Sequence, residues 1–141
     1  MAAARLLIID DEADITTVMK KSLEMAGFAV DAESDPIEAF RNFRHGAYDL
    51  VILDIRMPDV DGIELYGKLR EIDRGFKVCF ISTFVAGEYE KLRHQYPELV
   101  DGGCFIEKPV TMARLVQIVK SQLNAPQNQH GNKNDYKTNP T

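Results

Sequence analysis

The chain has 141 residues, 45% of them hydrophobic, which is enough apolar material for one domain with its own core and too little length for two. A formal charge of −5, with no basic run, argues against nucleic acid or an anionic membrane as a main partner. No apolar stretch approaches the roughly 20 residues of a membrane span, and Met1 to Arg5 lacks the layout of a signal peptide, so a cytoplasmic protein is expected.

Arg5-Leu6-Leu7-Ile8-Ile9 reads as a first buried strand that runs into Asp10-Asp11-Glu12. Ile15, Val18, Met19, Leu23 and Ala26 then recur at helical spacing over Asp14 to Ala26, with Gly27 placed to end the helix. Phe28 to Glu33 alternates with period two, as a half-exposed edge strand does. Ser34-Asp35-Pro36 offers a cap and a proline for a second helix, carried by Ile37, Phe40, Phe43 and Arg44 to Gly46.

Asp49 to Leu53 is the third strand. Pro58 fixes φ and lacks an N–H, and Gly62 can take a positive φ, so Met57 to Gly62 is expected to be an exposed loop. Ile63, Leu65, Leu69 and Ile72 mark a third helix, and Lys77 to Ile81 a fourth strand. Gly87 to Tyr96 reads as a short helix with Tyr89, Leu92 and Tyr96 on one stripe, halted by Pro97. Gly102-Gly103 opens a fifth strand through Glu107. Cys79 and Cys104 lie inside the last two strands and are expected to be reduced structural thiols.

Thr111 can cap a last helix whose Leu115, Val116, Val119 and Leu123 form the apolar stripe, ending near Asn124. Five strands alternating with five helices predict a doubly wound parallel sheet over residues 1–124, because parallel neighbours need crossovers that helices supply. Residues 125–141 are rich in Asn, Gln, Lys, Thr and Pro and read as a disordered tail.

Four apolar runs end on polar groups: Asp10 and Asp11, Asp54, Ser82 and Thr83, and Lys108. In an open parallel sheet, ligands bind outside the carboxyl ends of the strands, so these ends define one site. Asp10, Asp11 and Asp54 on one edge would repel by about 4 kcal/mol per close pair at an effective dielectric near 20. A cation must hold them together. Oxygen donors without His or Cys select a hard ion, and Mg²⁺ fits. A carboxylate beside a divalent ion and an ammonium, with a hydroxyl one strand over, suits phosphoryl transfer to Asp54 as nucleophile.

Over Arg5 to Asn124 the chain resembles a response-regulator receiver domain, a flavodoxin-like α/β fold of two-component signalling. The resemblance rests on the acid pair after the first strand, Asp54-Ile55-Arg56-Met57-Pro58 through Asp61-Gly62, the hydroxyl after the fourth strand, and Lys108-Pro109 after the fifth. It implies that Asp54 accepts phosphate from a sensor histidine kinase or a histidine phosphotransfer protein. Asp11, Asp54 and the Arg56 backbone carbonyl would bind Mg²⁺ with Asp10 supporting, and Lys108 would pair with the phosphoryl group. Ser82 would be the switch hydroxyl, with Thr83 the alternative if the register moves by one, and Phe105 the rotating aromatic. Family receivers also tend to have a cis bond before this proline. Output would pass to a protein target through the face of the fourth helix, fifth strand and fifth helix.

The expected function is a phosphorylation-driven switch rather than an enzyme acting on a separate substrate, and a stand-alone one, since no effector domain follows Asn124. The same residues would serve a phosphorelay shuttle. A third reading is an interaction module that no longer depends on phosphorylation. An aspartyl-phosphate phosphatase needs an acid two residues after its nucleophile, where this chain has Arg56. Flavin binding is opposed by Asp10-Asp11-Glu12, which would repel a phosphate. With Gly62 sixth in a calcium loop, the first ligand would be Met57 and the last Lys68, which excludes that reading.

Overall fold

A computed structural model of the chain describes residues 3–83, 88–97 and 104–124, with the side chains of 88 and 89 left aside. The expected tail from 125 and the connection over 98–103 lie outside the described residues. Seven strands and five helices are described, in the order β1 (Arg5–Ile9), α1 (Ala13–Met25), β2 (Ala29–Glu33), α2 (Pro36–Asn42), β3 (Leu50–Asp54), β4 (Arg56–Met57), β5 (Val60–Asp61), α3 (Gly62–Ile72), β6 (Lys77–Ser82), α4 (Glu88–Gln95), β7 (Cys104–Glu107) and α5 (Met112–Asn124).

Five strands form one parallel sheet in the order β2-β1-β3-β6-β7. The central strands are continuous apolar runs because both of their faces are covered. Alternate residues feed two cores. Leu7, Ile9, Val51, Leu53, Val78 and Phe80 pack toward α2, α3 and α4, while Leu6, Ile8, Leu50, Ile52, Cys79 and Ile81 pack toward α1 and α5. Cys79 and Cys104 are register partners, both buried and both free thiols. The chain leaves β1 for one edge and returns past it to β3, so the order reverses between β1 and β3, where α/β sheets open a crevice.

Most helices start and stop where the sequence places them. Gly27 has φ +103 just after the Ala26 C-cap, Asp35 caps α2 through Ile37 N at 2.9 Å, and Thr111 Oγ1 accepts from Arg114 N at 3.1 Å. α2 departs from expectation. It stops at Asn42, Phe43 turning to an extended ψ of 137, and it is Ala39 and Phe43 that enter the core. Ile37 is 58% and Phe40 40% exposed, and on α1 Val18 is 52% exposed while Thr16 is buried. A period-3.6 pattern marks a helix, but its apolar residues run wider than the strip that touches the sheet.

The loop after β3 is a small antiparallel ribbon, Arg56 opposite Asp61 and Met57 opposite Val60. Its turn places Pro58 second and Asp59 third, and Asp59 carries the positive φ, 64°, in the pattern of a type II turn. Gly62, expected to supply that positive φ, does something else. A Cβ there would stand 2.1 Å from the Asp54 carbonyl oxygen and 2.7 Å from Ile55 Cα, so glycine is what lets α3 begin against the end of β3.

Candidate functional site

Each strand end delivers one component. β1 ends at Ile9 and places Asp10, fully buried, with Asp11 half-buried beside it. β3 ends on Asp54, 3% exposed. β6 ends on Ser82, which lies one residue beyond Ile81, the register partner of Asp54. Past β7, Lys108 N donates to Ser82 O at 2.9 Å, and the Lys108–Pro109 bond is cis.

Asp10 and Asp54 are held by the same local device. Asp10 Oδ1 accepts from Glu12 N at 3.0 Å and Asp54 Oδ1 from Arg56 N at 3.1 Å, each carboxylate closing a turn over its own chain. That leaves the two Oδ2 atoms to face Lys108, whose Nζ stands 3.0 Å from Asp10 and 3.5 Å from Asp54. The Asp10 contact is an ion pair rather than an aligned hydrogen bond. Asp10, Asp11 and Asp54 each bring a carboxylate oxygen within 4.8 Å of the others.

This crowding has an electrostatic cost. Burial, then the charge of Asp10, pushes the Asp54 carboxyl up to about 7, against the opposing pull of Lys108 and the Arg56 N–H. Burial disfavours the charged form of Lys108, but Asp10, Asp54 and Glu12 together outweigh it and hold the ammonium above its ordinary range. One lysine thus serves three acids. The donor set fits Mg²⁺: three carboxylates with no nitrogen or sulfur ligand, two of them buried where an uncompensated charge is costly.

The two hydroxyls are not equivalent. Ser82 is 1% exposed and its Oγ has no hydrogen-bond partner, a buried donor without an acceptor, whereas Thr83 is exposed and its carbonyl accepts from Arg56 Nη1 at 3.4 Å. Phe105, half-buried, pairs in register with Phe80 and stacks on it, centroids 5.5 Å apart and planes 21° apart. Tyr66 meets Phe80 edge-on at 5.4 Å and Tyr96 at 6.4 Å. Phe105 is therefore continuous with the core under α3 and with Tyr96 just past α4. The side chain of Tyr89 lies outside the described residues.

One participant has no role in the reading of the sequence. Glu12 Oε1 lies 3.1 Å from Lys108 Nζ. Its signal was a glutamate in the N-cap position of a helix, where a shorter Ser, Thr, Asp or Asn is the usual choice.

The response regulator receiver domain family matches residues 6–120, and the chain belongs to it. The chain is 30% identical over 128 residues to the transcriptional regulatory protein PrrA of Mycobacterium leprae, covering 87% of this chain and 51% of that one. It thus spans about half the length of that relative. To the response regulator receiver protein CpdR of Brucella abortus it is 35% identical over 82 residues, 58% of this chain and 68% of that one. A CheY-like receiver domain from Methanospirillum hungatei superposes with a TM-score of 0.75 at 25% identity, over 87% of this chain and 95% of that one.

Proposed function

We propose that this receiver is a phosphorylation-driven switch of a two-component phosphorelay, working in the cytoplasm, in which Asp54 accepts a phosphoryl group from a sensor histidine kinase or a histidine phosphotransfer protein. The observation that carries this is the convergence of Asp10, Asp11 and Asp54 within 4.8 Å, with the half-buried Lys108 ammonium 3.0 Å from Asp10 and 3.5 Å from Asp54 and an unpartnered hydroxyl at the next strand end. Asp54 Oδ2 attacks phosphorus in line, the bond from phosphorus to the donor imidazole breaks, and that nitrogen keeps the bonding pair.

Asp11 and Asp54 with the Arg56 carbonyl would hold Mg²⁺, and Asp10 supports them. Bound there, the ion offsets charge shared between the acids and the arriving phosphoryl oxygens. Lys108 Nζ, already 3.5 Å from Asp54 Oδ2, moves to pair with the new oxygens, and Ser82 Oγ–H gains the acceptor it lacks. The protein is an acceptor and not an enzyme with a separate substrate.

Output passes to a protein target through the face of α4, β7 and α5, as Phe105 follows Ser82. The chain's overall net charge of −5 supports a protein partner rather than nucleic acid or a membrane. Incubation with acetyl phosphate and Mg²⁺ should give a hydroxylamine-sensitive acyl phosphate that maps to the peptide containing Asp54. A label that resists hydroxylamine, or that maps elsewhere, overturns the assignment. Passage of that phosphate onward to a second histidine protein would turn the switch into a shuttle.

A further inference from the structure

Glu12 occupies the N-cap of α1, yet its side chain makes no cap hydrogen bond. Ile15 N and Thr16 N reach only its backbone carbonyl, at 3.1 and 3.0 Å. The carboxylate is turned instead across the site mouth to Lys108 Nζ at 3.1 Å. A lysine ammonium has three protons and no more. Here they face three acids: Asp10 at 3.0 Å, Glu12 at 3.1 Å and Asp54 at 3.5 Å, so the acceptor carboxylate has the longest contact of the three.

The three partners differ in what they can give up. Asp10 is fully buried and tied by Glu12 N at 3.0 Å, and Asp54 is the group that changes. Glu12, its side chain 56% exposed, can swing into water at little cost. A phosphoryl oxygen arriving on Asp54 draws the Lys108 ammonium away from its present position, and Glu12, which accepts the aligned hydrogen bond and is the most exposed of the three acids, is the partner free to release it.

We propose that Glu12 is a positioning residue that draws Lys108 toward the mouth in the resting state and competes with phosphoryl oxygens for its ammonium, thereby setting how tightly the phosphorylated state is held. This rests on reading Asp54 as the phosphoacceptor. The effect runs through contact and not merely through a negative charge near an anion. Glu12→Gln removes the charge but keeps the length. Glu12→Asp keeps the charge but shortens the reach by one methylene, and at an N-cap the shorter acid turns to the helix N–H groups.

The test is titration of the full chain at saturating Mg²⁺ with beryllofluoride, a stable phosphoryl mimic, followed by amide chemical shifts at Ser82 and Phe105. Both variants should bind beryllofluoride about two- to fivefold more tightly than wild type, the range an exposed ion pair supplies. If Glu12→Gln gains affinity while Glu12→Asp matches wild type, only charge matters and the positioning role is wrong. Wild-type affinity or weaker in both variants overturns it as well, and a shift in urea midpoint without any change in affinity assigns Glu12 a purely structural role. Failure of wild type itself to bind would remove the phosphoacceptor reading and this inference with it, whereas normal wild-type binding with unchanged variants removes this inference alone.

Discussion

Asp54 and Asp73 are both nearly buried carboxylates, 3% and 5% exposed, and their surroundings push them in opposite directions. Burial would raise Asp73, but Gly46 N donates to Oδ2 at 2.9 Å and Gly75 N to Oδ1 at 2.8 Å, with Arg70, and His45 when protonated, adding positive charge, so the net shift is downward. A depressed folded value makes its contribution complete above the unfolded carboxylate value, about pH 4, and lost as pH falls through the folded one. Asp73→Asn leaves one N–H facing an amide NH₂, and should cost about 1–3 kcal/mol in urea unfolding at pH 7, with the deficit shrinking toward pH 3. A deficit that stays constant with pH would contradict this. Asp54, raised to about 7, has the opposite sign: the folded state holds its proton more tightly, so metal-free stability falls as pH rises from about 4 to about 7. Asp54→Asn removes the repelling charge at the same size. At pH 8 without metal it should melt several degrees higher, equivalent to about 1 kcal/mol or more in a domain of this size. A lower melting temperature would mean that the acids are not in conflict.

At the scale of elements, the site depends on how closely α3 can begin against β3. Gly62→Ala places a methyl group 2.1 Å from the Asp54 carbonyl oxygen and 2.7 Å from Ile55 Cα, both backbone, so one element must move. The expected cost is about 1–3 kcal/mol by urea titration, with slower phosphorylation because the displaced residue is the proposed acceptor. Unchanged stability and rate would show that the approach is not needed. Ser82→Ala separates acceptance from switching: it should still be phosphorylated at Asp54 but show much smaller amide shifts at Phe105 and over residues 90–96. If Thr83→Ala has that effect and Ser82→Ala does not, the exposed hydroxyl is the switch. The strand ends were legible because each apolar run stops on a polar residue, so Asp10, Asp54 and Lys108 could be placed without coordinates. Helix faces were less so, since Val18, Ile37 and Phe40 fit a helical stripe that the sheet does not cover. At Gly62 the sequence shows a missing side chain, which suggests a dihedral role, and not what stands where that side chain would be. Glu12 carries no mark of its contact in the sequence, because its partner is 96 residues away.

For the whole molecule, the parallel order β2-β1-β3-β6-β7 brings Asp10, Asp54, Ser82 and Lys108 to one edge although they span about a hundred residues of chain. An edge that gathers three carboxylates is strained when metal-free, so a divalent ion that binds only the folded state should raise stability by mass action. Mg²⁺ at about 100 times its dissociation constant should add about 2.7 kcal/mol, with the increment much reduced in Asp54→Ala. An equal gain in that variant would place the ion elsewhere. A switch built on this edge requires that Asp54 take up phosphate with a divalent ion, and intact mass measures this directly. With acetyl phosphate and Mg²⁺ the wild-type chain should gain a single phosphoryl group, lost in excess chelator and absent from Asp54→Ala. Equal labelling of Asp54→Ala, or labelling undiminished by chelator, would contradict it.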